Sequence, residues 1–113
     1  MKEWLGTKFK SSCYRTDQFD NFARDFKNYL KKMLANDYEI IFKKGHFELF
    51  GFLKNKKTGK YAYFSISDVR YWQDEWFYNV LIRSAKNEKD FFGGTNQYCT
   101  LENIKIEADK LTN

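Results

Sequence analysis

Between Thr16 and Asn36 the apolar residues Phe19, Phe22, Ala23, Phe26, Tyr29, Leu30, Met33 and Leu34 recur three and four positions apart. That spacing places them in one broad stripe along an α-helix. A stripe carrying so many rings must be covered by a second layer of structure. Thr16 or Asp17 can cap the helix start. Asp17 and Asp20 lie near the positive end of its dipole, Lys31 and Lys32 near the negative end, and Asn36-Asp37 supplies a stop.

The residues that follow change period. Tyr38 to Lys43 reads as a strand, Lys44-Gly45 as a tight turn and His46 to Lys54 as a second strand. Asn55-Lys56-Lys57-Thr58-Gly59 reads as a hairpin loop with glycine at its left-handed position, leading to a third strand from Lys60 to Ser67. On that strand Ala62, Phe64 and Ile66 alternate with Tyr61, Tyr63 and Ser65. The second strand has rings on both faces, with Phe47 and Leu49 opposing Phe50 and Phe52. Asp68 to Glu75 is expected to be an irregular, tryptophan-rich connection, and Trp76 to Arg83 a fourth strand. Ser84 to Asp90 is a loop or helical turn, and Phe91 to Asn96 a turn-rich loop. Thr100 can cap a last helix striped by Leu101, Ile104, Ala108 and Leu111. The expected fold class is α+β: a single domain over residues 1–113, its long N-terminal helix packed on an antiparallel β-meander of about four strands, with a short C-terminal helix. A chain of 113 residues has room for one core.

Aromatic residues make up 20% of the chain (Phe 12, Tyr 8, Trp 3), in a background of net charge +5 with no proline. Each buried ring removes roughly 150–250 Å² from water, and a domain this size buries only about two-thirds of its unfolded surface. Some rings, chiefly tyrosines and tryptophans, should therefore reach the surface beside lysines. No apolar run approaches the roughly 20 residues needed to cross a bilayer. Met1 to Gly6 leads into polar residues without the apolar core of a signal peptide, so a cytoplasmic chain is expected. In that compartment Cys13 and Cys99, which lack CxxC spacing, read as free or buried thiols.

Catalytic chemistry finds little support. His46 is the only histidine and sits beside a turn, with no orienting partner nearby in sequence. Two distant cysteines and one histidine do not make a zinc site. Asp68, Asp74 and Glu75 could hold a hard metal or act as an acid–base pair with His46, as in a nuclease, but read first as charged turn residues. Gly93-Gly94-Thr95 lacks the lysine and second spaced glycine of a phosphate loop. No catalytic residue, metal or cofactor is assigned.

The constellation with binding content pairs rings with bases. Lys54, Lys56, Lys57 and Lys60 crowd one hairpin end, where a phosphate backbone could pass, and Tyr61 and Tyr63 alternate on the adjoining strand. Gly59 to Ile66 resembles the core of an RRM RNP1 motif, but Lys60 and Ile66 depart from it and the order of elements is not βαββαβ. These six residues are the expected nucleic-acid surface for RNA or single-stranded DNA. That surface is open only if the long helix covers the Ala62/Phe64/Ile66 face. Arg70, Trp72 and Trp76, of the types that dominate protein hot spots, are the expected protein contact.

The segments Phe64 to Arg70, Asn79 to Lys86 and Gly93 to Tyr98 give the stretch from Tyr61 to Ile104 its texture. That stretch, a little over a third of the chain, resembles small accessory proteins of conjugative elements and phages in Gram-positive bacteria. The resemblance implies a compact inhibitor of host defence, such as an anti-CRISPR protein, and carries over no functional residue. The chain's positive charge suits guide RNA, or an acidic patch on a nuclease, better than imitation of DNA. The expected function is therefore non-enzymatic: inhibition of a host RNA-guided nuclease through the basic and aromatic surface. The alternative is a stand-alone RNA- or single-stranded-DNA-binding module.

Overall fold

A computed structural model describes residues 16–72 and 75–113. Cys13 and Asp74 lie outside the described residues, as do the side chains of Thr16 and Asp17 expected to cap the first helix. The order of elements is α1 (Thr16–Leu34), β1 (Tyr38–Lys44), β2 (Leu49–Asn55), β3 (Tyr61–Ile66), α2 (Val69–Trp72), β4 (Asn79–Ala85), β5 (Gln97–Thr100), a 3₁₀ turn (Leu101–Asn103) and α3 (Ile104–Thr112). The strands form one antiparallel sheet in the order β1-β2-β3-β4-β5. The α+β domain expected from the sequence is present, with five strands rather than four. The additional strand, β5, is four residues long, follows two glycines and pairs with β4 from Asn79↔Thr100 to Ile82↔Gln97. It is too short for its alternation to stand out in the sequence.

The helices cover one face of this sheet. Phe19, Phe22, Ala23, Phe26, Leu30 and Leu34 of α1 form a single buried cluster with Leu49, Leu53, Ala62, Phe64, Ile66, Val80 and Ile82, to which α3 adds Ile104 and Ala108. The Ala62/Phe64/Ile66 face is thus the covered one. Gly51 sits at its centre, opposite Phe42 on β1 and Phe64 on β3. With no side chain between them, those two rings stack at 6.4 Å, and Phe26 of α1 packs on Phe42 at 6.2 Å. A Cβ at Gly51 would overlap the Ile41 carbonyl oxygen and lie 2.9 Å from its carbon.

Two expected strands begin late, for one reason. Phe47 (φ 58°), Phe77 (φ 47°) and Tyr78 (φ 65°) occupy the left-handed region and cannot continue a strand. Residues 45–48 instead close a four-residue loop, with the Gly45 amide donating to the Glu48 carbonyl at 2.9 Å. The turn swings Phe47 into the core against Phe19, 5.2 Å away. Trp72, expected at a protein contact, is instead a core residue. It packs edge-on against Phe22, Phe26 and Tyr78 at 5.9, 5.8 and 5.1 Å, and its indole N–H donates to the Asn79 carbonyl at 3.1 Å.

A buried polar cluster fixes the end of α3. The Tyr38 hydroxyl donates to Asp109 at 2.7 Å and lies 3.1 Å from the Thr112 hydroxyl. Thr112 also accepts from Asn55 Nδ2 at 3.0 Å and donates to the Ala108 carbonyl at 2.7 Å. Thr100, expected to cap the last helix, precedes the 3₁₀ turn without a side-chain capping bond. Cys99 is a free, buried thiol, and burial pushes it up to about 11.

Two predictions follow from this packing. Gly51→Ala should destabilise the domain by about 3 kcal/mol or more, since the obstruction is backbone and cannot rotate away; urea denaturation measures this. Burial, reinforced by Asp109 and opposed by the Thr112 hydrogen bond, pushes the Tyr38 phenol from 10.0 up to about 12. The fold holds the neutral phenol, so its contribution is complete below pH 10. About 2–3 kcal/mol should be lost as pH rises from 10 through 12. Cys99 adds a loss that begins nearer pH 9. Denaturation from pH 8 to 12 should show a steep alkaline decline for the native chain and a shallower one for Tyr38→Phe.

Candidate binding groove

The face of the sheet turned away from the helices carries its own rings. Phe50 and Phe52 on β2 and Tyr63 on β3 alternate with the core positions, and the loop between β4 and β5 folds over them. Phe91 from that loop lies 6.2 Å from Phe50, 5.3 Å from Phe52 and 6.1 Å from Tyr63. Arg83, buried on β4, stacks its guanidinium 4.2 Å over Tyr63 and donates to the Phe91 carbonyl and, at 3.3 Å, to Asn96 Oδ1. Asp90 ties the loop from within, accepting the amides of Lys86 at 2.9 Å, Gly93 at 2.7 Å and Phe92 at 3.3 Å. These backbone amides hold its carboxyl below the usual range. The Gly93 amide is therefore engaged by a carboxylate of its own chain.

This loop covers only the half of the face nearest Phe91. At the other end, beyond Ser65, the surface opens into a groove of about 620 Å³, within the range of ligand-sized clefts. Trp76, Phe77 and Tyr98 supply its rings, with Leu81 between them. Ser65, Ser67 and Asn79 supply polar groups, and Glu75 is the one charged side chain among the described lining residues. Phe77 and Tyr98 are 70% and 67% exposed, and Trp76 is half-buried. Tyr71, also exposed, extends the aromatic surface, its ring 6.0 Å from Trp76.

The backbone that presents these rings is tightly tied. The Tyr78 amide donates to the Trp72 carbonyl, and both the amide and Nδ2 of Asn79 donate to the Trp76 carbonyl, each at 2.9 Å. Held this way, two consecutive aromatic residues adopt left-handed backbone, at a cost of about 1–3 kcal/mol apiece. The double turn sends Phe77 out to solvent and Tyr78 inward onto Trp72. The sequence offered the ring density of this segment but no sign of the turn, because neither glycine nor asparagine occupies the left-handed positions.

The expected nucleic-acid residues lie elsewhere. Lys54, Lys56, Lys57 and Lys60 gather at the β2–β3 hairpin, at the opposite end of β3 from the groove, about 17 Å away along the strand. Lys56 Nζ donates to the Ala35 carbonyl at 2.7 Å and Lys60 Nζ to the Asn113 carbonyl at 2.8 Å, while Lys57 is exposed. Lys54 Nζ lies 5.8 Å over the Tyr61 ring. Tyr63 is on the face left open by α1, yet Phe52, Phe91 and Arg83 enclose it, and burial pushes its phenol up. Its ring offers no free face for a base.

Of the expected protein contact, Trp76 lines the groove and Trp72 is core. Arg70 pairs bidentately with Asp68, at 3.0 and 2.7 Å, and stacks 4.3 Å over Phe47. Burial raises the Asp68 carboxyl, but the Arg70 hydrogen bonds outweigh it and the group lies below its usual range. Asp68 is therefore occupied by arginine, and no group of three or more potential metal ligands occurs among the described residues. Phe77 and Tyr98 were not legible as site residues; exposure on the folded surface is their only signal. No helix among the described residues is long and apolar enough to cross a membrane.

Comparison with protein-family models, curated proteins and solved structures yields no match.

Phe77→Gly should leave stability within about 1 kcal/mol of the native chain. The relief of a left-handed phenylalanine offsets the entropy that glycine gains in the unfolded chain, and little buried area is lost. Phe77→Val, a β-branched residue at the same φ, should be clearly less stable in the same denaturation series.

Proposed function

We propose that this chain is a non-enzymatic binding protein whose contact site is the groove formed by Trp76, Phe77 and Tyr98. The observation that carries the reading is the exposure of these rings together around one concavity, on backbone held in a costly conformation. Exposed aromatic side chains grouped on a rigid frame are the usual anchors of protein recognition. The separation of these rings from the hairpin lysines favours a polypeptide partner over a single-stranded nucleic acid, whose recognition needs stacking rings within a basic track. Inhibition of a host RNA-guided nuclease is the specific case that the sequence resemblance implies. In that case the groove would grip the nuclease protein, and the lysine hairpin would add electrostatic attraction to its RNA or to an acidic patch.

The test is inhibition of target cleavage by purified guide–nuclease complexes, run with the native chain, Phe77→Gly with Tyr98→Ala, and Lys56→Glu with Lys57→Glu. The groove variant should lose inhibition, and the lysine variant should weaken it moderately and more at low salt. Normal cleavage across the nucleases tried would remove the inhibitor reading. Binding that survives the groove variant but collapses with the lysine variant would move the site to the hairpin.

A further inference from the structure

The lining of the groove has a one-sided chemistry. Its rings present π-faces, its one described charge is the carboxylate of Glu75, and no lysine, arginine or histidine is among the described lining residues. Asn79 commits its Nδ2 to the Trp76 carbonyl, which leaves Oδ1 as its acceptor. Ser65 and Ser67 add hydroxyl oxygens. A surface of aromatic faces with a carboxylate and neutral acceptors is complementary to a cation, and most of all to one that is flat and rich in donors. This is unusual for the chain, whose net charge is +5.

We infer that the groove receives an arginine side chain of the partner polypeptide, its guanidinium against the rings of Trp76, Phe77 and Tyr98 and beside the Glu75 carboxylate. The inference rests on the groove being the partner-binding site and names what enters it. Arginine fits better than lysine because its plane can lie on a ring while its edge donates to Glu75, Asn79 Oδ1 and the serine hydroxyls. The overall positive charge adds a further condition. A polybasic segment would be repelled over about one Debye length, roughly 8 Å at physiological salt. The complementary partner therefore carries a single arginine within a neutral or acidic stretch.

Amide NMR titration with the peptide Ac-Gly-Arg-Gly-NH₂, and with its neutral isostere containing citrulline, reads this at 0.15 M salt. The arginine peptide should shift the Trp76 indole and the Phe77, Asn79 and Tyr98 amides, and bind at least about five-fold tighter than the citrulline peptide. Glu75→Gln, at an exposed position, should weaken the arginine peptide about three-fold or more and leave the citrulline peptide unchanged. Equal binding of the two peptides at the groove would overturn the arginine assignment while leaving the groove as a contact site. Arginine-dependent shifts confined to Asp37 and Asp109, or no shift at all, would overturn the assignment too. Loss of nuclease inhibition by the groove variant, measured separately, decides the broader reading.

Discussion

The sheet carries rings on both faces, Phe42 and Phe64 on one and Phe50, Phe52 and Tyr63 on the other, and a sheet built this way must be covered twice. Phe42 and Phe64 meet over Gly51 on one side, while Phe52 and Tyr63 meet at 5.3 Å on the other. One long helix can hide only one of these faces. The N-terminal helix and α3 take the side with the smaller alternate residues, where Gly51, Ala62 and Ala108 let α-helical backbone approach the sheet. The second face is left to the loop between β4 and β5, which brings a single ring, Phe91, to three others. The rest of the molecule follows from how far that loop reaches. It closes over one half of the second face and leaves the other half as the groove.

The two covers are held by different physics. On the helical side the attraction is apolar area, continuous through one cluster, with a few polar anchors at Tyr38, Asn55 and Thr112. On the loop side there is too little apolar surface to hold eleven irregular residues by burial alone. Arg83 and Asp90 make up the difference by satisfying backbone groups of the loop from below and from within. Burying an arginine without a contacting carboxylate is costly unless its charge is spread over acceptors and a π-face. Here the Phe91 carbonyl, Asn96 and Tyr63 provide most of these, while Nε has no hydrogen-bond partner among the described residues. The loop is thus pinned rather than packed.

The sequence made the long helix, the first three strands and the covered face legible because each rests on a repeating pattern. The α1 stripe has period 3.6, and Ala62, Phe64 and Ile66 have period 2, so burial can be inferred from spacing. What was not legible depended on single backbone angles and on contacts between distant segments. Phe47, Phe77 and Tyr78 look like strand residues by type, and it takes their positive φ and the hydrogen bonds of Gly45, Tyr78 and Asn79 to reveal that they turn. Tyr63 was on the open face as its alternation implied, yet Phe91, twenty-eight positions later, removed it from solvent. Trp72 and Trp76 were equivalent by composition, and their separation into core and groove came from the turn that follows them.

That turn is also the reason to place function at the ring-rich end rather than the lysine-rich one. Lysines at a hairpin tip are explained by solubility, and Lys56 and Lys60 have structural tasks in closing the ends of α1 and α3 against the hairpin. Two consecutive left-handed aromatic residues have no such ordinary explanation. Tyr78 gains a core contact from the conformation, since its ring meets Trp72 at 5.1 Å. Phe77 makes no ring contact among the described residues and leaves 70% of its surface in water. A cost of a few kcal/mol is a sizeable share of the margin of a small domain, about 5–15 kcal/mol in all. On the proposed reading, the return on that cost is the contact the exposed ring makes with a partner.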